Sequence, residues 1–182
     1  LLPSTGVLAL DRTTNRVIRL IWSYVISLMN IFYLDHDIDR AVTYHCDKHV
    51  VKMCLETAQI LCTSLRRYGL SAPYKATHER HPTVLWSGDS IQHYRWLKLF
   101  GLSLCKEYSW RYEKTHASES VIRSLPVSPP LPDAGWSEPP QAMPDKFKGH
   151  DPVEAYRRFY REEKYRFSTW TRRPIPLFMQ RN

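Results

Sequence analysis

The sequence predicts an all-α fold, a compact bundle of about three long helices crossed by a proline-rich strap. Apolar residues recur at helical spacing through residues 41–65 and 87–113, a capped helix start stands at DPVE (151–154), and seven prolines lie within residues 125–144. Spacing by three and four marks a helix face turned to a core. Prolines remove donors and fix φ, so neither a helix nor a central strand runs through residues 125–144.

A chain of 182 residues suits one domain with its own core. Met29 is the first methionine and MNIFYLD (29–35) has the pattern of a start. Residues 1–28 are therefore read as an upstream extension outside the fold, and 29–182 as a single helical domain. The apolar run LIWSYVISLMNIFYL (20–34) is shorter than the roughly 20 residues that span a bilayer, so no membrane association is expected. NIFYL (30–34) reads as extended and is closed by the polar DHDIDR (35–40). The first long helix covers about Ala41 to Leu65 and stops at Arg66, Arg67 and Gly69, cations followed by a glycine. After the loop YKATHERHP (74–82), Ser87 or Asp89 caps a second long helix that ends near Glu113. Leu125, Leu131, Trp136 and Met143 can anchor the strap. Asp151 caps the third helix, with Pro152 at its first position, and that helix runs to about Arg166.

The balance of 26 basic against 18 acidic residues, +8 in all, favours a polyanionic partner. Many aromatic residues lie beside cations, as in RRY (66–68), HYRWLK (93–98), WRYEK (110–114) and YRRFYREEKYRF (156–167). That interleaving suits nucleic acid, since cations meet phosphates and rings stack on bases. Arg95, Lys98, Arg111, Lys114, Arg157, Arg158 and Arg161 are the expected phosphate contacts. Cys46, Cys54, Cys62 and Cys105 form no CxxC pair, and three of them stand eight apart, as apolar fillers on a helix face do. A reducing, cytoplasmic setting and a monomer are expected, with a virus-encoded origin open.

The stretch YHCDKHVVKM (44–53) concentrates chemistry. On one continuous helix His45, His49, Lys52 and Glu56 fall in a single stripe. Tyr74, Lys75, His78 and His81 of YKATHERHP are the expected opposite wall of the same site. Histidines four apart can chelate zinc, but HExxH would place a glutamate where Cys46 stands, and no third ligand lies in the same element. Neither a metal nor another cofactor is expected. Set beside phosphate, His45 and His49 would be cationic below neutral pH and aid binding there.

MNIFYLD (29–35), KMCLETAQIL (52–61), YKATHERHPTVLW (74–86) and the aromatic, basic helix after them resemble the pyrimidine-dimer DNA glycosylase family of the phage endonuclease V type, over roughly residues 29–113. The resemblance implies an all-α domain that binds double-stranded DNA, extrudes a nucleotide and cuts its glycosidic bond with an amine nucleophile, followed by AP-lyase strand cleavage. It implies an N-terminal α-amino group as the amine and a glutamate of the first long helix as the carboxylate. Glu56 is the only glutamate on that helix; Asp47 competes for the role, and Lys48, Lys52 or Lys75 for that of the amine. A noncatalytic nucleic-acid-binding accessory protein and a metal-dependent nuclease built on His45, His49, His78 and His81 are the alternatives.

Overall fold

A computed structural model describes residues 30–180; the upstream extension expected at 1–28 lies outside the described residues. Among them there are six α-helices and no strand: α1 (Ile38–Tyr44), α2 (Asp47–Arg67), α3 (Pro82–Asp89), α4 (Ile91–Tyr112), α5 (Ser118–Ser124) and α6 (Pro152–Phe159). Only α2 and α4 are long, at 21 and 22 residues. The third long helix expected from Asp151 to Arg166 is interrupted. Asp151 does cap it, accepting from the N–H groups of Val153 and Glu154, but α6 ends at Phe159 and gives way to a π-helical turn, Tyr160–Lys164, and a 3₁₀ turn, Tyr165–Phe167.

The first long helix is also divided. It breaks at His45 and Cys46, both extended, because the N–H of Cys46 donates to Tyr160 Oη at 2.9 Å and that of Asp47 to Thr169 O at 2.8 Å. The C-terminal segment thus supplies acceptors that an unbroken helix would have found within itself. Asp37 caps α1, accepting from Arg40 N–H, and His81 caps α3, accepting from Thr83 N–H. Ser90, rather than Ser87 or Asp89, caps α4.

The core forms where α2 and α4 pack together with α3 and α5 against them, filled by Met53, Ile60, Leu61, Leu65, Tyr94, Phe100 and Leu104. All four cysteines are buried and free. The strap crosses the start of α4: Ile91 N–H donates to Pro132 O at 2.7 Å, Trp86 Nε1–H to Ser137 O at 3.0 Å, and Ser137 N–H to His93 Nε2 at 2.8 Å. Among the described residues, no helix is long and apolar enough to cross a membrane.

Gly101 leaves room for the side chains packed on α4, since a Cβ there would lie 2.6 Å from Thr57 Cγ2 and 3.0 Å from Ile122 Cδ1. Gly101→Ala is expected to destabilise the fold by roughly 1–3 kcal/mol through overpacking, despite alanine's better helix propensity. Denaturant unfolding measures the loss. Adding Thr57→Ser, which removes the opposing methyl, should recover most of it; a single variant as stable as the parent contradicts the close packing.

Candidate active site

The site grows from the N-terminal half of α2, where His49, Lys52 and Glu56 share a face at spacings of three and four. Glu56 is buried at 4% exposure, yet its carboxylate is fully engaged. One oxygen accepts the backbone N–H of Asn30 at 3.0 Å, and the other pairs with Lys52 Nζ at 2.9 Å. Burial pushes the Glu56 carboxyl above its ordinary value, opposed by Lys52 and the Asn30 N–H. Lys52, partly open to solvent, joins this sunken carboxylate to the surface.

The extended residues 30–34 are held against α2 from two sides. Asn30 Nδ2 donates to Ala142 O at 2.9 Å, while its Oδ1 accepts from Ile31 N–H and lies 2.9 Å from the Tyr156 hydroxyl. Phe32 has φ +42°, a left-handed conformation that is costly for an aromatic residue and that clusters at functional sites when the surroundings enforce it. Here the enforcement is visible. The Phe32 ring stacks on His49 with centroids 4.3 Å apart and meets the edge of Tyr160 at 5.3 Å.

His49 is neutral. Burial, with His45, Lys164 and Lys52 adding to it, holds its pKa down to about 2. Tyr160 Oη accepts the Cys46 N–H and shares a 2.6 Å hydrogen bond with His49 Nδ1, which ties the ring to the C-terminal segment. His45 lies outside α2, buried, with Nδ1–H donating to Ala41 O at 2.8 Å; burial takes its pKa down to about 4. The expectation that both histidines would be cationic beside phosphate is corrected, because each is sealed from the solvent that would stabilise its charge.

Asp47 stands apart from Glu56 and ties down the C-terminal segment. It accepts from Arg111 at 3.0 Å, from Thr169 Oγ1 at 2.9 Å, and from the N–H and hydroxyl of Thr171. Burial alone would raise its pKa, but these donors outweigh it and hold the carboxyl low. Of the candidate lysines, Lys48 lies over the Phe167 ring at 5.1 Å, Lys75 is exposed, and Lys52 is the one at the carboxylate.

The YKATHERHP loop is not the opposite wall of this cleft. Thr77 N–H donates to Thr63 Oγ1 and Arg66 Nε to Tyr74 O, so Tyr74, Lys75 and His78 lie against the C-terminal end of α2. Fourteen residues separate His49 from Thr63, roughly 20 Å at helical rise. His81 is spent on capping α3. The second wall comes instead from residues 30–34 and from the segment carrying Tyr156, Tyr160 and Lys164. The sequence offered one clue to it: YxxxY (156–160), one helical turn apart, directly after a strong cap.

Several expected phosphate contacts are held by protein acceptors. Arg111 is buried and donates to Glu107, Asp47, His45 O and Thr43 O; Lys98 is buried and donates to Leu125 O. Arg157 reaches Asp35, Glu154 and Leu34 O, and Arg158 reaches the carbonyls of Phe147 and Lys148. Arg95, Lys114 and Arg161 are exposed, with Arg95 donating to Ser128 Oγ and Arg161 to Phe178 O. Among the described residues no three His, Cys, Asp or Glu side chains are gathered as a metal site would require.

Fold and site together define a helical protein with a buried carboxylate that gathers an amine and the backbone nitrogen of residue 30 under an aromatic wall. The family model for pyrimidine dimer DNA glycosylase matches residues 29–120, and the chain belongs to that family. No curated protein and no solved structure matches the chain. Tyr156, Tyr160 and Lys164 lie beyond the matched residues.

Proposed function

We propose that this protein is a DNA glycosylase acting on pyrimidine dimers in double-stranded DNA, with an associated AP-lyase step, and that Glu56 is its catalytic carboxylate. The observation that carries the reading is the pairing of buried Glu56 with the nitrogen of residue 30 on one oxygen and an amine on the other. The chemistry needs an amine beside a carboxylate. A neutral amine attacks C1′ of the damaged nucleotide as the glycosidic bond breaks and the departing base takes the bond's electrons and a proton; the C1′–O4′ bond then opens, with O4′ taking its electrons and a proton, and the resulting iminium allows loss of the C2′ proton and elimination of the 3′-phosphate. A carboxylate at the amine takes up and returns protons and stabilises the positive charge.

Two nitrogens compete for the attack. Lys52 is already in place, but its nitrogen is committed to the ion pair with Glu56. In a form of the chain that starts at Met29, the α-amino group would stand one residue from the nitrogen that Glu56 holds. An α-amino group has an ordinary pKa of about 7.7–8.0, so far more of it is neutral. With residues upstream, the same nitrogen is a peptide amide and no nucleophile, which favours the accessory DNA-binding reading for that form.

Borohydride trapping on abasic-site duplex distinguishes these readings. The chain starting at Met29 is expected to give a covalent adduct that Lys52→Arg retains and N-terminal acetylation abolishes. The chain with residues 1–28 is expected to bind without trapping. No adduct from either form, with salt-sensitive binding intact, would leave the noncatalytic reading in its place.

A further inference from the structure

Lys164 is the cation of the site that neither the family match nor the carboxylate chemistry uses. It ends the π-helical turn Tyr160–Lys164, and its Nζ lies 4.7 Å over the ring of Phe159. Phe159 stacks in turn against Phe32, at 6.3 Å and 18°, and Phe32 stacks on His49. This column of rings ties Lys164 to His49, one helical turn from Lys52 on α2. The turn is pinned from below by Ser168 Oγ, which donates to Lys164 O at 2.7 Å. A π turn inserts one residue into the helical ladder and rotates the residues after it, a device that recurs at functional sites.

The charges around Lys164 are unbalanced. Its neighbour Glu163 pairs with Lys146 at 3.0 Å, and among the described residues no carboxylate is paired with Lys164. Burial holds its ammonium below the usual lysine range; Glu163 opposes that, and Lys52 adds to it. Lys52 and Lys164 both act on the charge of His49, so both lie near its ring. A half-buried ammonium with no carboxylate partner is unfavourable until an anion joins it.

We propose that Lys164 seats one backbone phosphate of the DNA next to the extruded nucleotide, making the C-terminal turn a positioning element of the site. The proposal rests on the reading of Glu56 as a DNA-acting centre. A phosphodiester fits better than a carboxylate ligand, because it carries one diffuse charge and threads past the cleft at both ends. Its seat would fix C1′ over Glu56 without touching the reacting atoms.

The test is equilibrium binding to a duplex holding an uncleavable abasic-site analogue, with single neutral methylphosphonate linkages on either side of it. Lys164→Met is expected to weaken binding roughly tenfold and to reduce the salt slope by about one. Lys164→Arg, which keeps the charge but not the amine, should bind like the parent. One neutral linkage should weaken the parent by the factor that Lys164→Met loses, and should leave Lys164→Met unchanged. Lys164→Gln serves in the same comparison should the methionine variant not fold. Parental affinity and slope in the Met or Gln variant, or equal losses for variant and parent at every neutral linkage, would overturn the seat while leaving Glu56 its role. Absence of any duplex binding by the parent would remove the reading of the site and this proposal together.

Discussion

Glu56→Gln is expected to abolish base excision, by at least about a hundredfold, the scale on which a positioned proton-transfer group contributes, while duplex binding stays within about twofold of the parent. The fold should tolerate the change for reasons visible at the site. The amide oxygen can still accept the Asn30 N–H at the position where the carboxylate does now. The lost ion pair with half-exposed Lys52 is worth about 1 kcal/mol or less, and removing a buried charge from a carboxyl already pushed upward offsets part of that. Single-turnover excision on a dimer-containing duplex, alongside binding to the same duplex, separates chemistry from affinity. Asp47→Asn is the control. Asp47 joins Arg111, Thr169 and Thr171, so its loss should appear first as a lower melting temperature. Full activity in Glu56→Gln with none in a folded Asp47→Asn would move the carboxylate role to Asp47. Activity in both, or in neither and not in the parent, would end the glycosylase reading.

The features legible in the sequence are those set by short-range interactions. The Asp151 cap, the Arg66–Arg67–Gly69 helix stop and the strap depend on neighbours within a few residues, and each stands where local rules place it. The break at His45–Cys46 depends on Tyr160 and Thr169, more than a hundred residues away, and no proline or glycine marks it. Arg111 and Arg157 sit in aromatic, basic runs that suit phosphate, and only the fold shows Glu107, Asp47 and Asp35 already facing them.

The same distinction governs the candidate site. Lys52 and Glu56 are four apart on one helix, so their pairing was readable; the partner that gives it meaning, the nitrogen of residue 30, is 26 residues from Glu56 in sequence and no helical periodicity points to it. His49 was legible as a member of the stripe but not as a neutral ring, since its state depends on Phe32 and Tyr160 closing over it. Charge state is a property of burial, and burial is the part of a site that a linear pattern conveys least.

Burial of the two histidines leads to the second large effect, a steep loss of stability in mild acid. His45 and His49 have folded pKa values of about 4 and about 2 against an ordinary 6.5. Both values are lowered, so below pH 6.5 the unfolded chain binds protons that the folded chain refuses, and stability falls as pH falls. By pH 5 each histidine should have withdrawn on the order of 2 kcal/mol, a combined loss comparable to the whole stability of a marginal domain. The window from pH 6.5 to 5 belongs to these histidines and, with the same sign, to His116, which burial also holds low. Asp47 and Glu107, whose carboxyls are held low by their donors, add their loss only below the carboxylate range, and Glu56, raised by burial, works in the opposite sense. Denaturant unfolding at half-unit steps from pH 7.5 to 4.5 should therefore show a slope approaching two protons. His49→Phe, which keeps a ring against Phe32, should reduce that slope by about one even though it sacrifices the Tyr160 hydrogen bond. A stability that stays level from pH 7 to 5 would mean that solvent reaches these rings, and that the wall closing over His49 is not the one described by Phe32 and Tyr160.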